Sequence, residues 1–165
     1  MIREAAAGDT ASVAALHLAT ALVAYADIFP KDVAPPGIDD LTAEYDELID
    51  RGGRLWVWED DDGEIAGSIT LVDDPSVPAG QRLDRFYVHP HHQGRGIGRR
   101  LYEHLLVQAR GPALNLWVLE ANAATRAIYE AWGWELVPGR TLPNDPPHIL
   151  DVLYELGPGS LATDP

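Results

Sequence analysis

Leu83 to Leu106 reads LDRFYVHPHHQGRGIGRRLYEHLL, and this stretch decides the fold. Leu83, Phe86, Tyr87 and Val88 are apolar, aromatic or β-branched, the residue types that suit a buried strand. His89-Pro90 stops that strand, because proline has no N–H for a sheet ladder. Gln93-Gly94-Arg95-Gly96-Ile97-Gly98 follows, and then Ile97, Leu101, Leu105 and Leu106 recur at helical spacing. The unit is strand, glycine-rich turn, helix. Glycines let a backbone turn sharply and bring its N–H groups close to a ligand. The free amides and positive dipole end of a helix N-terminus favour an anion, typically phosphate. Arg95, Arg99 and Arg100 add guanidinium donors beside the same turn, so the stretch reads as a pyrophosphate cradle.

Two common phosphate loops do not fit. The dinucleotide fingerprint G-x-G-x-x-G requires a third glycine where Arg99 stands, and a P-loop requires lysine followed by Ser or Thr after Gly98. What remains, Q-x-x-G-x-G after a strand ending Val88-His89-Pro90, resembles the acetyl-CoA-binding motif of the GNAT N-acetyltransferase superfamily. A second block strengthens the resemblance. Asn122, Ala127, Ile128, Tyr129, Glu130 and Gly133-Trp134 are similar to the family pattern that follows the fifth strand, with tryptophan where phenylalanine is more frequent. The motif-bearing part is Leu83 to Trp134, and the order of elements extends the likeness over nearly the whole chain.

Composition bounds the alternatives. The chain has 165 residues, 46% hydrophobic and 23% charged, which suits one soluble globular domain. It has no cysteine, so disulfides, thiolate metal sites and a cysteine nucleophile are excluded. No signal-peptide pattern or membrane-length apolar run is present, and the expectation is a cytoplasmic protein without a membrane partner. A formal net charge of −14 disfavours nucleic acid and favours small cationic partners. Against that background Arg82, Arg85, Arg95, Arg99, Arg100 and Arg110 form a local basic run, as a bound anion would require.

From the N-terminus, Ile2 to Ala6 is a short candidate strand, and Asp9 or Thr10 caps a helix carrying Val13, Leu16, His17, Thr20, Val23 and Ala24 on one stripe. His17 reads as a packed, hydrogen-bonded histidine. Ala34-Pro35-Pro36-Gly37 breaks the helix, and Ile38 to Ile49 resumes helical spacing up to Gly52-Gly53. Arg54 to Glu59 alternates as a strand, with Leu55 and Val57 opposite Trp56 and Trp58. Asp60-Asp61-Asp62-Gly63 is a solvated hairpin turn, without the distal glutamate of a Ca²⁺ loop, and Glu64 to Val72 returns as a strand. Asp73 to Gly80 is a loop. Leu114 to Leu119 fits a central strand, and Asn122 caps a short helix ending at Gly133. Trp134 to Val137 is a strand candidate, Pro138 to Pro147 a long polar loop, and Ile149 to Leu156 the last strand. Residues 1–156 make a single domain, and 157–165 a disordered tail.

The resemblance implies an α/β (mixed α+β) fold: a twisted mixed sheet of six or seven strands, splayed between the fourth and fifth, with flanking helices. It implies that backbone groups at Phe86 and Val88 pair with the pantetheine arm of acetyl-CoA as an added strand would. It places the pyrophosphate on the run Gln93, Gly94, Arg95, Gly96, Ile97, Gly98, with Arg99 beside it, and Asn122 near the cofactor arm. Tyr129 matches the family tyrosine that reaches the sulfur, which makes it the candidate general acid for the leaving thiolate, and an N–H near Val88 would serve the carbonyl oxygen. Many family members carry a glutamate base where Arg82 stands here. Asp84, on the same strand face two residues on, is the candidate base, and equally a partner for Arg82 or Arg85. No metal is implied, and His89, His91 and His92 are variable loop positions. The expected reaction is acetyl transfer to a primary amine of a small molecule, cationic ones included, or a peptide terminus, with polyamines, aminoglycosides and basic peptide termini all open. Tyr25, Phe29, Tyr45, Trp56 and Trp58 are the aromatic candidates for its pocket. A homodimer is a family expectation. A catalytically silent acyl-CoA-binding module is the competing reading, and a nucleotide-binding protein of another fold a weaker one.

Overall fold

The computed structural model describes residues 1–74, 80–111, 113–146 and 148–157. In chain order the elements are β1 (Ile2–Glu4), α1 (Thr10–Ala24), α2 (Ile38–Asp50), β2 (Arg54–Glu59), β3 (Ile65–Asp74), β4 (Gly80–Val88), α3 (Ile97–Gln108), β5 (Leu114–Leu119), α4 (Ala123–Ala131), β6 (Glu135–Pro143) and β7 (Leu150–Leu156). The strands form one seven-stranded sheet in the order β1-β2-β3-β4-β5-β7-β6. Every neighbouring pair is antiparallel except β4 and β5, which run parallel and meet at a single register pair, Arg82 with Asn115. Beyond that pair the two strands part, which is the splay expected from the sequence.

Alternation in β2 separates two cores. Leu55 and Val57 pack with Val13, Ala14, Leu41 and Tyr45 under α1 and α2. Trp56 and Trp58 face the other way, onto the cluster that holds Ile97, Leu101, Leu105 and Tyr129 from α3 and α4. A strand with side chains at period two can serve both layers at once.

Strand β4 breaks this alternation. Ile69 pairs with Phe86 and Leu71 with Leu83, so Asp84 and Arg85 stand opposite Thr70 alone. Two residues against one is a β-bulge, which re-aims the side chains after it. The Thr70 hydroxyl holds the bulge by accepting from Arg85 N at 2.7 Å and lying 3.2 Å from Arg85 O. Leu83, Phe86 and Val88 consequently all reach the α3 side, although the first two are three positions apart. Asn115, fully buried, fixes where the splay begins: its amide Nδ2 donates across the seam to Gln81 O at 2.9 Å.

The structure corrects several local expectations. The polar run after Pro138 is no loop, since β6 continues to Pro143 and pairs with β7 across an irregularity between Leu136 and Thr141. Strand β3 runs through Asp74, and residues 75–79 of the expected Asp73–Gly80 loop lie outside the described residues, as do 158–165 of the expected tail. In α1, Thr10, Val13, Ala14, Leu16 and Thr20 are buried while Val23 is exposed. Asp9 stands at the N-cap, but its carboxylate accepts from Ala6 N and from Arg3.

His17 packs as expected, stacked on Tyr87 at 4.1 Å with Nδ1 3.4 Å from the Tyr45 hydroxyl. Burial, helped by the nearby Arg85 charge, lowers its pKa to about 4. The unfolded chain binds this proton near pH 6.5 and the folded one not until about pH 4. Stability present above pH 6.5 is therefore lost as pH falls through that window, by about 3 kcal/mol in full. Urea unfolding of His17→Gln should show a flatter dependence on pH between 6.5 and 4 than the parent; parallel curves would mean that His17 is not held neutral.

Candidate active site

The opening between β4 and β5 continues into two cavities that share a wall. The first, about 540 Å³, is lined by Phe86, Val88, Gln93, Gly94, Gly96, Ile97, Gly98, Arg99, Asn122, Ile128, Tyr129 and Trp132 among others. The second, about 290 Å³, is lined by Asp84, Arg85, Tyr87, Trp117, Asn144 and Asp151, with Tyr25 and Phe29 from the chain after α1. Phe86, Asn122, Thr125 and Tyr129 border both. Of the residues expected to hold a cofactor, all but Arg95 thus lie around one chamber, and the candidate acid sits at the junction with the next.

Strand geometry explains how backbone becomes available here. His89 N donates to Ala66 O at 2.9 Å, which makes Ala66/His89 a hydrogen-bonded pair. In an antiparallel ladder such pairs alternate with pairs whose N–H and C=O point outward. Val88, opposite Gly67, and Phe86, opposite Ile69, therefore turn their peptide groups away from β3 and towards the gap before β5. Pro90–His92 forms one turn of 3-10 helix, capped by the His89 ring, whose Nδ1 accepts from His91 N at 3.3 Å. That contact gives the His89 ring a local role, and among the described residues no group of three His, Cys, Asp or Glu is placed to hold a metal ion.

The glycine-rich turn has the conformation its composition calls for. Gly94 and Gly96 adopt φ of +75° and +79°, which side chains disfavour, and Gly96 is the N-cap of α3. The first amides of α3 have no intrahelical acceptor and point out of the helix end. A Cβ on Gly96 would meet no atom within 4 Å, so the space in front of the turn is open. These features fit a diphosphate, and the walls formed by Phe86, Val88 and Trp132 fit an apolar arm. Gln93 bends back, its Nε2 donating to Val88 O at 3.0 Å.

The arginines do not act as one patch. Arg82 pairs with Asp74 at 2.5 Å and Asp84 at 3.1 Å, and Arg85 reaches Glu44 at 2.6 Å and covers the Tyr45 ring. Arg100 lies over Trp58. Arg99 alone of the six borders the larger cavity, with Nε held by Glu103 at 2.7 Å, and Arg95 is exposed beside it. Asp84 borders the smaller chamber, but Arg82 Nε meets one of its oxygens and Arg85 Nε lies 3.5 Å from the other.

Tyr129 is packed by its ring and free at its tip. The ring meets Trp132 and Trp134 edge-on, and among the described residues the hydroxyl has no hydrogen-bond partner. Burial raises its pKa, so the phenol is protonated at neutral pH. Asn122 caps α4, accepting from Thr125 N at 3.2 Å, and borders both chambers from that position. Of the five aromatic pocket candidates, Tyr25 and Phe29 line the smaller chamber. Tyr45 and Trp56 are core, and Trp58 packs half-buried against α3. Sequence reading missed Asp151, a half-buried carboxylate projecting from β7, as well as Asn144 and Trp117. In a strand of alternating polarity an aspartate reads as solvent face.

Comparison with known proteins agrees with this geometry. Residues 18–134 match the pattern of the Acetyltransferase (GNAT) family. The peptidyl-lysine N-acetyltransferase YjaB of Salmonella typhimurium is 31% identical over 118 residues, 68% of this chain and 74% of that protein. Among solved structures, an N-acetyltransferase from Staphylococcus aureus superposes with a TM-score of 0.69 at 24% identity, covering 95% of this chain and 97% of its own. The structure of yncA from Salmonella typhimurium with its cofactor acetyl-CoA gives 0.68 at 22%, covering 96% and 93%.

Proposed function

Since the chain belongs to the GNAT family and is an acyltransferase with acetyl-CoA as its donor, we propose that it acetylates a primary amine of a small molecule or peptide terminus by direct attack in a ternary complex. One observation carries this reading: the wedge between β4 and β5 joins a phosphate-type turn to an acidic, aromatic chamber, and Tyr129 stands where they meet.

The roles follow from position. The outward peptide groups of Phe86 and Val88 take up the pantetheine arm, and the amides from Gly94 to Gly98 hold the diphosphate. The Val88 N–H faces the gap where the thioester carbonyl has to lie, and it stabilises negative charge developing on that oxygen. The Tyr129 hydroxyl gives its proton to the departing sulfur. Asn122 keeps the α4 end in register with both partners. Asp84 lines the acceptor side, and its two arginine contacts favour a role in shaping that wall over one as base.

Turnover is tested by release of CoA thiol from acetyl-CoA in the presence of primary amines. Release that depends on the amine supports the reading, while CoA binding without release from any amine marks an acyl-CoA-binding module. A further expectation concerns Arg99 and Arg95. Exposed ionic contacts contribute about 0.5–1 kcal/mol and are screened over about 8 Å at physiological salt. Arg99→Ala and Arg95→Ala should each weaken CoA binding about two- to fivefold at low salt and reduce its salt dependence. Titrations that are parallel to the parent at every salt concentration would remove both residues from the anion site.

A further inference from the structure

Resting on the acetyltransferase reading, we propose that Asp151 is the carboxylate that receives the acceptor's ammonium group and takes its first proton, and that the acceptor carries this ammonium on an apolar or aromatic body. Asp151 sits on β7, paired with Leu119 of β5, and lines the smaller chamber on the side opposite β4. Its Oδ2 accepts from the neutral Asn144 amide at 3.0 Å, and among the described residues no cation pairs with it. That distinguishes it from Asp84, whose oxygens lie against Arg82 and Arg85. Arg85 borders the same chamber but is directed to Glu44, Asp84 and the Tyr45 ring. A half-buried carboxylate without a cationic partner, facing a cavity, is where a cation is most favourable.

The surroundings suit an ammonium. Tyr25, Phe29, Tyr87 and Trp117 wall the chamber, and aromatic faces attract cations. Tyr25 and Phe29 also border a neighbouring groove of about 400 Å³, lined by Leu18, Leu22, Val33 and Pro35, which gives the apolar body its place. The groups facing Asp151 across the chamber are Tyr25, Asp84, Arg85 and Tyr87, with Tyr129 at the cofactor side. Burial raises the Asp151 carboxyl above the usual range, partly offset by the Asn144 bond, and this suits a proton acceptor.

The transfer balances as follows. R–NH3⁺ gives one proton to Asp151, and the freed amine attacks the thioester carbon, forming C–N while the carbonyl pair moves to oxygen. That pair returns as C–S breaks, and sulfur takes the Tyr129 proton. The second proton on nitrogen restores Tyr129 through solvent, and Asp151 releases its own to water. The products are the amide, CoA thiol and one proton.

The test compares the parent with Asp151→Asn in the full chain, using 2-phenylethylamine and its neutral analogue 2-phenylethanol as probes. With acetyl-CoA saturating, kcat/KM for the amine at pH 7 should fall at least tenfold in Asp151→Asn, with acetyl-CoA affinity within twofold and the loss shrinking towards the pKa of the amine. With CoA bound, the intrinsic tryptophan fluorescence of the parent should report the amine binding at least tenfold more tightly than the alcohol, and this preference should vanish in Asp151→Asn. Equal binding of amine and alcohol by the parent, which needs no variant to fold, overturns the proposal. So does a kcat/KM within twofold of the parent. A parent that binds the amine selectively but releases no CoA thiol sinks the acetyltransferase reading, and Asp151 then stands or falls on the binding preference alone.

Discussion

Tyr129→Phe should lower turnover by about 10²–10⁴-fold, the usual scale for loss of a general acid, and leave acetyl-CoA affinity within about twofold. The substitution keeps the ring that packs against Trp132 and Trp134 and removes a hydroxyl that bonds to nothing among the described residues. The fold therefore loses no hydrogen bond, and the melting temperature should hardly move. Raised by burial, the phenol remains protonated well past neutral pH, so the acid is present throughout the range in which the amine can react. Single-turnover rates with a saturating amine and donor isolate the chemical step. A variant within about threefold of the parent, below ~1 kcal/mol in barrier, would hand proton delivery to solvent and leave Tyr129 a packing residue.

Gly96→Asp should weaken CoA binding by about 1–4 kcal/mol, roughly fivefold to nearly a thousandfold. This is the range for a like charge about 4 Å from a phosphate between bulk water and a protein surface. Gly96→Ala provides the control, because both variants bear the cost of a side chain at φ +79° while only one brings charge. The added Cβ meets nothing within 4 Å, so neither variant should unfold the protein. Calorimetric titration of CoA into folded samples decides the matter. Equal affinities for the aspartate and alanine variants would place the diphosphate elsewhere.

Much of this site could be read from the chain because its signals are local. The turn from Gln93 to Gly98 announces itself through its closely spaced glycines, and Tyr129 through its distance from Asn122 and Gly133. What escaped depends on partners far along the sequence. The bulge at Asp84-Arg85 exists because Thr70, fifteen residues back, supplies a hydroxyl to Arg85, and nothing within β4 marks it. Strand β6 is an exposed edge strand interrupted at Pro138 and Gly139, with no buried face to impose alternation, so only its pairing with β7 orders it. Asp151 and Asn144 line the smaller chamber because the sheet brings β7 beside β5, a neighbour relation that periodicity cannot express. The basic run misled for a similar reason. Its arginines are close in sequence, but the fold distributes them to Asp74, Glu44 and Trp58 on different faces.

The single rung at Arg82–Asn115 also bears on how the molecule comes apart. It divides the sheet into two antiparallel blocks, β1 to β4 and β5-β7-β6, each laddered internally and joined by one register pair, the Asn115 amide and the packing of the helices. Blocks coupled so thinly can open as separate cooperative units, below the free energy of global unfolding. A strand-like ligand lying in the seam would add the missing rungs and fasten one block to the other. Its binding energy would then appear mainly as suppressed opening between the halves, making the cofactor a suture for the fold as well as a reactant.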